Sequence, residues 1–373
     1  MNNSARDLQV ANICAALQAE ALFHMSLGSK ELFHSNFIAW FADRFPSLAA
    51  EAFATWSDRL EGALGRRTER EPAHLDLVLH LPGLRPIALE NKVFSVPDER
   101  QLDRYADGVL KQREATGVKH SRILLSLISP GWAKATYEGW RLRTYSELAD
   151  VLAPQVQVME SDDAFAALLL DHYVRLIRLL TSLVELLGTP APEEPLILPN
   201  SVVQELETAR ISAGIQKARA SHVVRDLRLA VSERHWSDIE VDHSFTNGMS
   251  LLEAFRRVPG DGGESMPTDA IGWQLQGAQF RLFVVTGHMP GAANRAEREK
   301  YVAERYARWF EFGVLEELVG VAAPRVSEVR GGQWSFQGYN PSFVYRYRAA
   351  PNLSPAQLLR LGVAYLELAE QLF

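Results

Sequence analysis

The stretch from Leu75 to Tyr105 limits what this chain can fold into more than any other. It reads as a short strand ending in Asp76, a loop holding Pro82-Gly83, and a second strand, Pro86 to Leu89, ending in Glu90-Asn91-Lys92. Gln101 and Tyr105 follow on an expected helix, where a spacing of four puts them on one face. Strand alternation sets the remaining directions. In His74-Leu75-Asp76-Leu77-Val78-Leu79-His80, Asp76 shares a face with His74 and Val78 and opposes Leu75, Leu77 and Leu79. In the second strand Glu90 and Lys92 point the same way and Asn91 points away. If the two strands pair, Asp76, Glu90 and Lys92 converge on one edge. Two carboxylates there suit a hard cation, because Mg²⁺ takes one or two carboxylates together with waters and phosphate oxygens. An adjacent ammonium can orient a water or offset developing negative charge.

With Asp76, Glu90, Lys92 and Gln101-Leu102-Asp103-Arg104-Tyr105 in that order, the chain resembles the PD-(D/E)XK nuclease superfamily. The last segment fits the Gln-x-x-x-Tyr motif of its exonuclease-like branch. Upstream, the run from Lys30 to Trp40, with Glu31 close to His34-Ser35, resembles the first-helix signature of a poorly characterised bacterial subfamily. Downstream, Trp140 and Tyr145 resemble the same subfamily. The resemblance covers about residues 20 to 150. Leu75 stands where the family's proline precedes the first aspartate, a proline that many members lack.

The resemblance implies an α/β, restriction-endonuclease-like mixed sheet flanked by helices, and Mg²⁺-dependent hydrolysis of phosphodiesters, with Mn²⁺ able to substitute. Asp76 and Glu90 would bind the metal with the Asn91 backbone carbonyl, and Lys92 would be the catalytic lysine. Gln101, Arg104 and Tyr105 would lie near the scissile strand. Glu31 would sit at the edge of the site, a place for which Glu20 competes. The implied partner is nucleic acid, DNA before RNA, in bacterial defence or DNA processing. The alternative is a catalytically silent or partner-activated interaction module that keeps the fold.

At 373 residues with 47% apolar content, the chain is long enough for two globular domains. Its single cysteine, Cys14, allows no internal disulfide and fits a reducing cytoplasm. Met1 to Asp7 lack the pattern of a secretory signal. The apolar run from Phe165 to Leu187 carries Asp171, His172, Arg175, Arg178 and Glu185, which marks a packed helix and no membrane span. The net charge of −7 argues against indiscriminate binding to nucleic acid. Residues 1–153 are close to neutral, with 18 Lys or Arg against 19 Asp or Glu. Arg66, Arg67, Arg70, Arg100 and Arg104 are candidate phosphate contacts, and each also fits a solvated surface.

Helices are expected at 8–26, from Ser29 to Phe45, at 49–64, at 101–116, and from Thr144 or Ser146 through Leu152. Arg122 to Ile128 reads as a buried central strand. The prolines of 188–199 predict an extended linker between a nuclease-like domain at 1–187 and an α+β domain with antiparallel strands at 200–373. That second domain is assigned recognition of a substrate, of a protein partner or of a second copy of the chain. Within it a helix is expected from Asn200 or Ser201 to Glu233, and a hairpin turn at Asn247-Gly248. Strands are expected at Trp273 to Gln276, Phe280 to Val285 and Phe343 to Arg348, with Gly331-Gly332 preceding Trp334. An Arg/Glu-rich helix at 293–318 and a final helix from Ser354-Pro355 to Leu372 complete it. Trp334, Tyr339, Tyr345 and Tyr347 fit base stacking or sheet core. His74 and His80 fit the surface, or a place beside the ligands, better than metal ligation.

Overall fold

The structure, a computed structural model, describes residues 3–63, 65–93, 95, 99–115, 117–128, 136–137, 139–246, 249–258, 268–287, 294–319, 336–338 and 342–373. The chain divides into two compact units, Met1–Thr189 with Asn200–Ala218, and Pro190–Pro199 with Arg219–Phe373.

The first unit opens with α1 (Asn3–Ala19), α2 (Ala21–Ser26), α3 (Lys30–Arg44) and α4 (Pro46–Ala52). Three strands follow, β1 (Arg66–Arg70), β2 (Leu77–His80) and β3 (Ile87–Lys92). Next come α5 (Glu99–Tyr105) and α6 (Lys111–Glu114), joined by a π-helical segment, Ala106–Leu110. β4 (Ser121–Ser126), β5 (Thr136–Tyr137) and β6 (Trp140–Thr144) complete the sheet. The unit also holds α7 (Tyr145–Glu160), α8 (Ala164–Leu187), α9 (Asn200–Thr208) and the start of α10 (Ser212–Glu233).

The strand order is β1-β2-β3-β4-β6-β5. The pairs β1–β2, β2–β3 and β5–β6 are antiparallel, while β3–β4 and β4–β6 are parallel. β4 is apolar on both faces, as a strand covered on both sides requires. On one face Val78, Ala88, Leu124 and Trp140 pack against Leu102, Tyr105 and Leu110 of the α5–α6 rod. α3 packs on β1, β2 and β3.

Several expected boundaries move, for local reasons. The helix expected at 8–26 breaks at buried Glu20, whose extended backbone starts α2. The helix expected at 49–64 stops at Ala52, and Arg59 instead bridges to Leu84. α7 begins after Thr144, whose hydroxyl accepts from Glu147 N while Glu147 accepts from Thr144 N, a reciprocal cap. It continues through Pro154 to Glu160 and does not end at Leu152. β1, with the sequence Arg-Arg-Thr-Glu-Arg, whose arginines fit phosphate contacts or a solvated surface but announce no strand, is an edge strand, where outward charges discourage pairing with another chain.

Residues 190–199 are no open spacer. Leu196 N donates to Leu353 O at 2.8 Å, and Ala356 N donates to Pro192 O at 3.1 Å. Arg219, 1% exposed, donates to Leu196 O, Pro195 O and Glu194 at 2.6 to 3.0 Å. A proline lacks an N–H but keeps its carbonyl, and a guanidinium offers five donors to such a segment. The helix expected from 200 to 233 is broken where Arg210 takes a left-handed φ of 57°, and the division between the units falls inside α10.

The second unit continues with β7 (Ile239–Thr246), β8 (Met249–Val258), β9 (Asp269–Gln276), β10 (Gln279–Val285), α11 (Arg295–Arg305), α12 (Gly313–Val319), β11 (Phe343–Ala349) and α13 (Pro355–Leu372). Its sheet is antiparallel in the order β11-β10-β9-β8-β7. α13 packs on β8 and β9. Gly362 lies against Trp273, whose indole N–H donates to Gly362 O at 3.0 Å, and a Cβ there would collide with the ring. The expected Arg/Glu-rich helix is interrupted by a 3₁₀ turn, Ala307–Phe310. Tyr345 and Tyr347 are sheet residues of β11, and the Arg281 guanidinium lies 4.8 Å from the Tyr345 ring centre. Asn247-Gly248, Gly331-Gly332, Trp334 and Tyr339 lie outside the described residues. Among the described residues, no helix is long and apolar enough to cross a membrane.

Candidate functional site

The backbone before β2 is unusual. Glu71, Ala73 and His74 have left-handed φ values of 50°, 51° and 72°, a conformation that costs non-glycine residues on the order of 1 kcal/mol each. Glu71 N donates to Asp76 O at 2.9 Å, and the Tyr105 hydroxyl donates to His74 O at 2.7 Å, which ties the turn at both ends. β2 therefore starts after Asp76, where the sequence suggested a strand ending there, and His74 belongs to the turn and not to the strand face.

The register then places the acids. β2 and β3 pair Leu77 with Leu89 and Val78 with Ala88. One step further, Asp76 comes opposite Glu90 on the face covered by α5. Asn91 N donates to Asp76 Oδ2 at 2.7 Å. Glu90 is 2% exposed, and its Oε1 lies 2.8 Å from Lys92 Nζ and accepts from Gln101 Nε2 at 2.9 Å. Gln101 Nε2 also lies 2.7 Å from the Tyr105 hydroxyl. Glu90 Oε2 is buried and has no hydrogen-bond partner.

The electrostatics reflect that incompleteness. Burial raises the Asp76 carboxyl above the usual range, against the Asn91 N–H and Lys92, which pull it down. Burial also raises Glu90, and the Asp76 charge adds to the rise. Burial works against the Lys92 ammonium, but Glu90 outweighs it and the Lys92 pKa rises. Two buried carboxylates beside one ammonium carry negative charge in excess of their compensation.

Behind the acids lies a group that sequence reasoning did not assign. The Asn91 side chain, 0% exposed, points away from Glu90 and Lys92 as strand parity requires. Its Nδ2 donates to Glu31 O and Ser35 Oγ, both at 3.0 Å, and its Oδ1 accepts from the Tyr145 hydroxyl at 2.5 Å. One asparagine thus links β3 to α3 and to the first turn of α7. A buried amide must find partners, so the parity that turned Asn91 inward was the available signal. His34, fully buried, has Nδ1 3.0 Å from the Tyr173 hydroxyl, and burial lowers its pKa to about 3. Ser35 donates to Glu31 O at 3.1 Å, away from His34.

The other expected residues separate clearly. The Glu31 charge acts on both Asp76 and Lys92, and its Oε1 accepts from Ser95. Glu20 instead pairs with His172 at 2.9 Å. His80 pairs with Glu69 at 2.8 Å. Arg104 is exposed on α5, one residue before Tyr105. Asp76, Glu90, Lys92, Gln101, Tyr105 and Glu31 therefore form one neighbourhood, with the Asn91 backbone inside it.

Among the described residues, no three Asp, Glu, His or Cys side chains gather as a ready-made metal cluster. Two carboxylates, one with a buried oxygen lacking a partner, still match a hard cation that keeps several waters. No family model matches the chain, and neither a curated protein nor a solved structure matches it.

Proposed function

We propose that the first unit is a metal-dependent nuclease with a restriction-endonuclease-like core. The observation that carries this reading is the buried Asp76–Glu90 pair beside Lys92, with Glu90 Oε2 left without a partner. Asp76 and Glu90, with the Asn91 carbonyl, would hold Mg²⁺ or Mn²⁺, and a bound ion supplies Lewis-acid polarisation of a phosphate oxygen and a water of lowered pKa. Lys92, freed from Glu90, orients the attacking water and offsets charge on the phosphate. Gln101 and Tyr105 line the same helix face and position the strand to be cut. Arg104, exposed beside them, offers a phosphate contact. The substrate class is nucleic acid.

The deciding experiment incubates the full chain with Mg²⁺ or Mn²⁺ and single-stranded DNA, duplex DNA or RNA, with EDTA as the blank. Cleavage of at least one substrate, lost in EDTA, is expected. A protein that cuts none of them under any of these conditions is not a self-sufficient nuclease.

A further inference from the structure

β1 carries Arg66, Arg67 and Arg70, and α3 ends in Arg44. In the folded chain these four side chains line one concavity of about 690 Å³, together with Trp40 and Asp43. Arginines gathered this way contrast with a chain whose net charge is −7. Asp43, the one acid in the lining, is already committed: its Oδ1 accepts from Thr68 N at 2.7 Å, and its Oδ2 lies 3.2 Å from Arg70 and 3.9 Å from Arg67. The other pairs are long, Arg44–Asp163 at 3.5 Å and Arg66–Glu69 at 3.7 Å. Arg44, Arg66 and Arg67 are 64%, 67% and 86% exposed. Exposed pairs of this kind hold only weakly, so the guanidiniums exchange them readily for a stronger anion.

The placement says which anion. In the β1–β2 ladder Arg70 lies opposite Leu77, next to Asp76, and Arg66 lies opposite His80. Arg70 therefore shares the face of Leu77, opposite that of Asp76 and Glu90, and the concavity lies across the edge strand from the candidate site. From Arg70 to Arg66 a strand spans about 13 Å, long enough to meet more than one phosphate of an extended single strand. Trp40 gives the concavity an aromatic wall, the other half of a single-strand binding surface. We infer that this concavity binds the phosphodiester backbone of a nucleic acid, across the edge strand from the candidate site. The inference rests on the nuclease reading only for its choice of substrate class.

The test measures binding without cleavage. A fluorescein-labelled single-stranded oligonucleotide is titrated with full-length protein in EDTA between about 50 and 200 mM salt. Replacing Arg66, Arg67 and Arg70 together by Gln should weaken binding at least roughly tenfold and lower the salt slope by about 2, at about 0.7 per lost phosphate contact. Arg67→Gln alone alters the most exposed of the four and should lower the slope by about 0.7 without disturbing the fold. Arg175→Gln with Arg178→Gln, on exposed positions of α8, is the charge control and should change neither quantity. Unchanged affinity and slope in the arginine variants overturn the inference, as does an equal loss in the control. A wild-type protein that does not bind the oligonucleotide overturns it as well. Cleavage is read separately. Arginine-dependent binding without cleavage removes the nuclease reading and leaves the concavity, and cleavage with arginine-independent binding does the reverse.

Discussion

Asp269 of β9 and Glu90 of β3 are both buried carboxylates, 0% and 2% exposed, but their surroundings differ. Asp269 Oδ2 accepts from the Tyr301 hydroxyl at 2.9 Å and from the Tyr306 hydroxyl at 2.8 Å. Burial, reinforced by the bond to Asp269, pushes the Tyr306 hydroxyl up to about 12, so it remains a donor. Tyr301 moves in the same direction. Around Glu90 one oxygen is shared between Lys92 and Gln101 and the other has no partner, while Asp76 faces it from the next strand. The second unit gives its acid two tyrosine hydroxyl donors on one oxygen, and the first leaves a carboxylate oxygen of its pair without a partner. Burial of charge alone does not mark a site; the Asp76–Glu90 pair adds an oxygen without a partner and a second carboxylate across the strand pair.

That contrast can be broken by experiment. The largest effect is expected at Lys92. Lys92→Ala should lower the Mg²⁺-dependent cleavage rate by roughly 10²- to 10³-fold with an intact circular dichroism spectrum, and cleavage at the wild-type rate would remove Lys92 from the chemistry.

Next come the two aspartates, whose replacements should move stability in opposite directions. Asp269→Ala strips an acceptor from two tyrosines and should cost about 2–3 kcal/mol in urea unfolding. Asp76→Asn keeps an acceptor for Asn91 N and removes a charge that burial disfavours. It should stabilise the metal-free protein by up to about 1 kcal/mol and abolish metal binding by calorimetry. A destabilised Asp76→Asn protein would mean that Asp76 is structural.

Tyr145→Phe should cost about 1 kcal/mol, because it leaves the Asn91 oxygen without that donor. The informative readout is metal affinity, measured by Mn²⁺ titration. If Asn91 holds Asp76 and Glu90 in place, affinity falls together with stability, and unchanged affinity would make the link purely structural.

The smallest effect concerns Glu69. Its hydrogen bond to Arg113 and the one to His80, against the opposing effect of burial, lower its pKa from 4.5 to about 2. A lowered acid stabilises the fold above its unfolded pKa, and the contribution is lost as pH falls through the folded value. The stability gap between wild type and Glu69→Gln should therefore be complete at pH 7 and shrink between pH 4.5 and 2. Screening keeps it within about 1 kcal/mol. A gap that widens in acid would reverse the sign.

The readable part of this site rested on period two. Alternation placed Glu90 with Lys92 and turned Asn91 inward, and the structure has that arrangement. The Gln101–Tyr105 pair was readable from helix spacing. The turn before Asp76 was not, because three left-handed residues with side chains leave no compositional mark. β1 was hidden because an edge strand needs no apolar stripe. The break between α9 and α10 was equally silent, since Arg210 carries a positive φ that a glycine or asparagine would have announced. Residues 190–199 misled for a different reason: proline content records missing donors and says nothing about a distant arginine that fills the carbonyls.

The π-helical segment Ala106–Leu110 has a consequence for how the rod from Glu99 to Glu114 is composed. A π turn holds one residue more than an α turn would. Ahead of it the helix is phased to Gln101 and Tyr105, which meet Glu90 and His74. Beyond it the helix is phased to Arg113, which grips Glu69 through two bonds at 3.0 and 2.6 Å. Straightening the segment with all its residues kept would swing Arg113 by about 100° relative to Tyr105, whereas removing one residue would restore an uninterrupted helix with both faces kept. The rod is thus a splice of two frames, and a chain with an unspliced helix would align to it only through a one-residue gap in mid-helix.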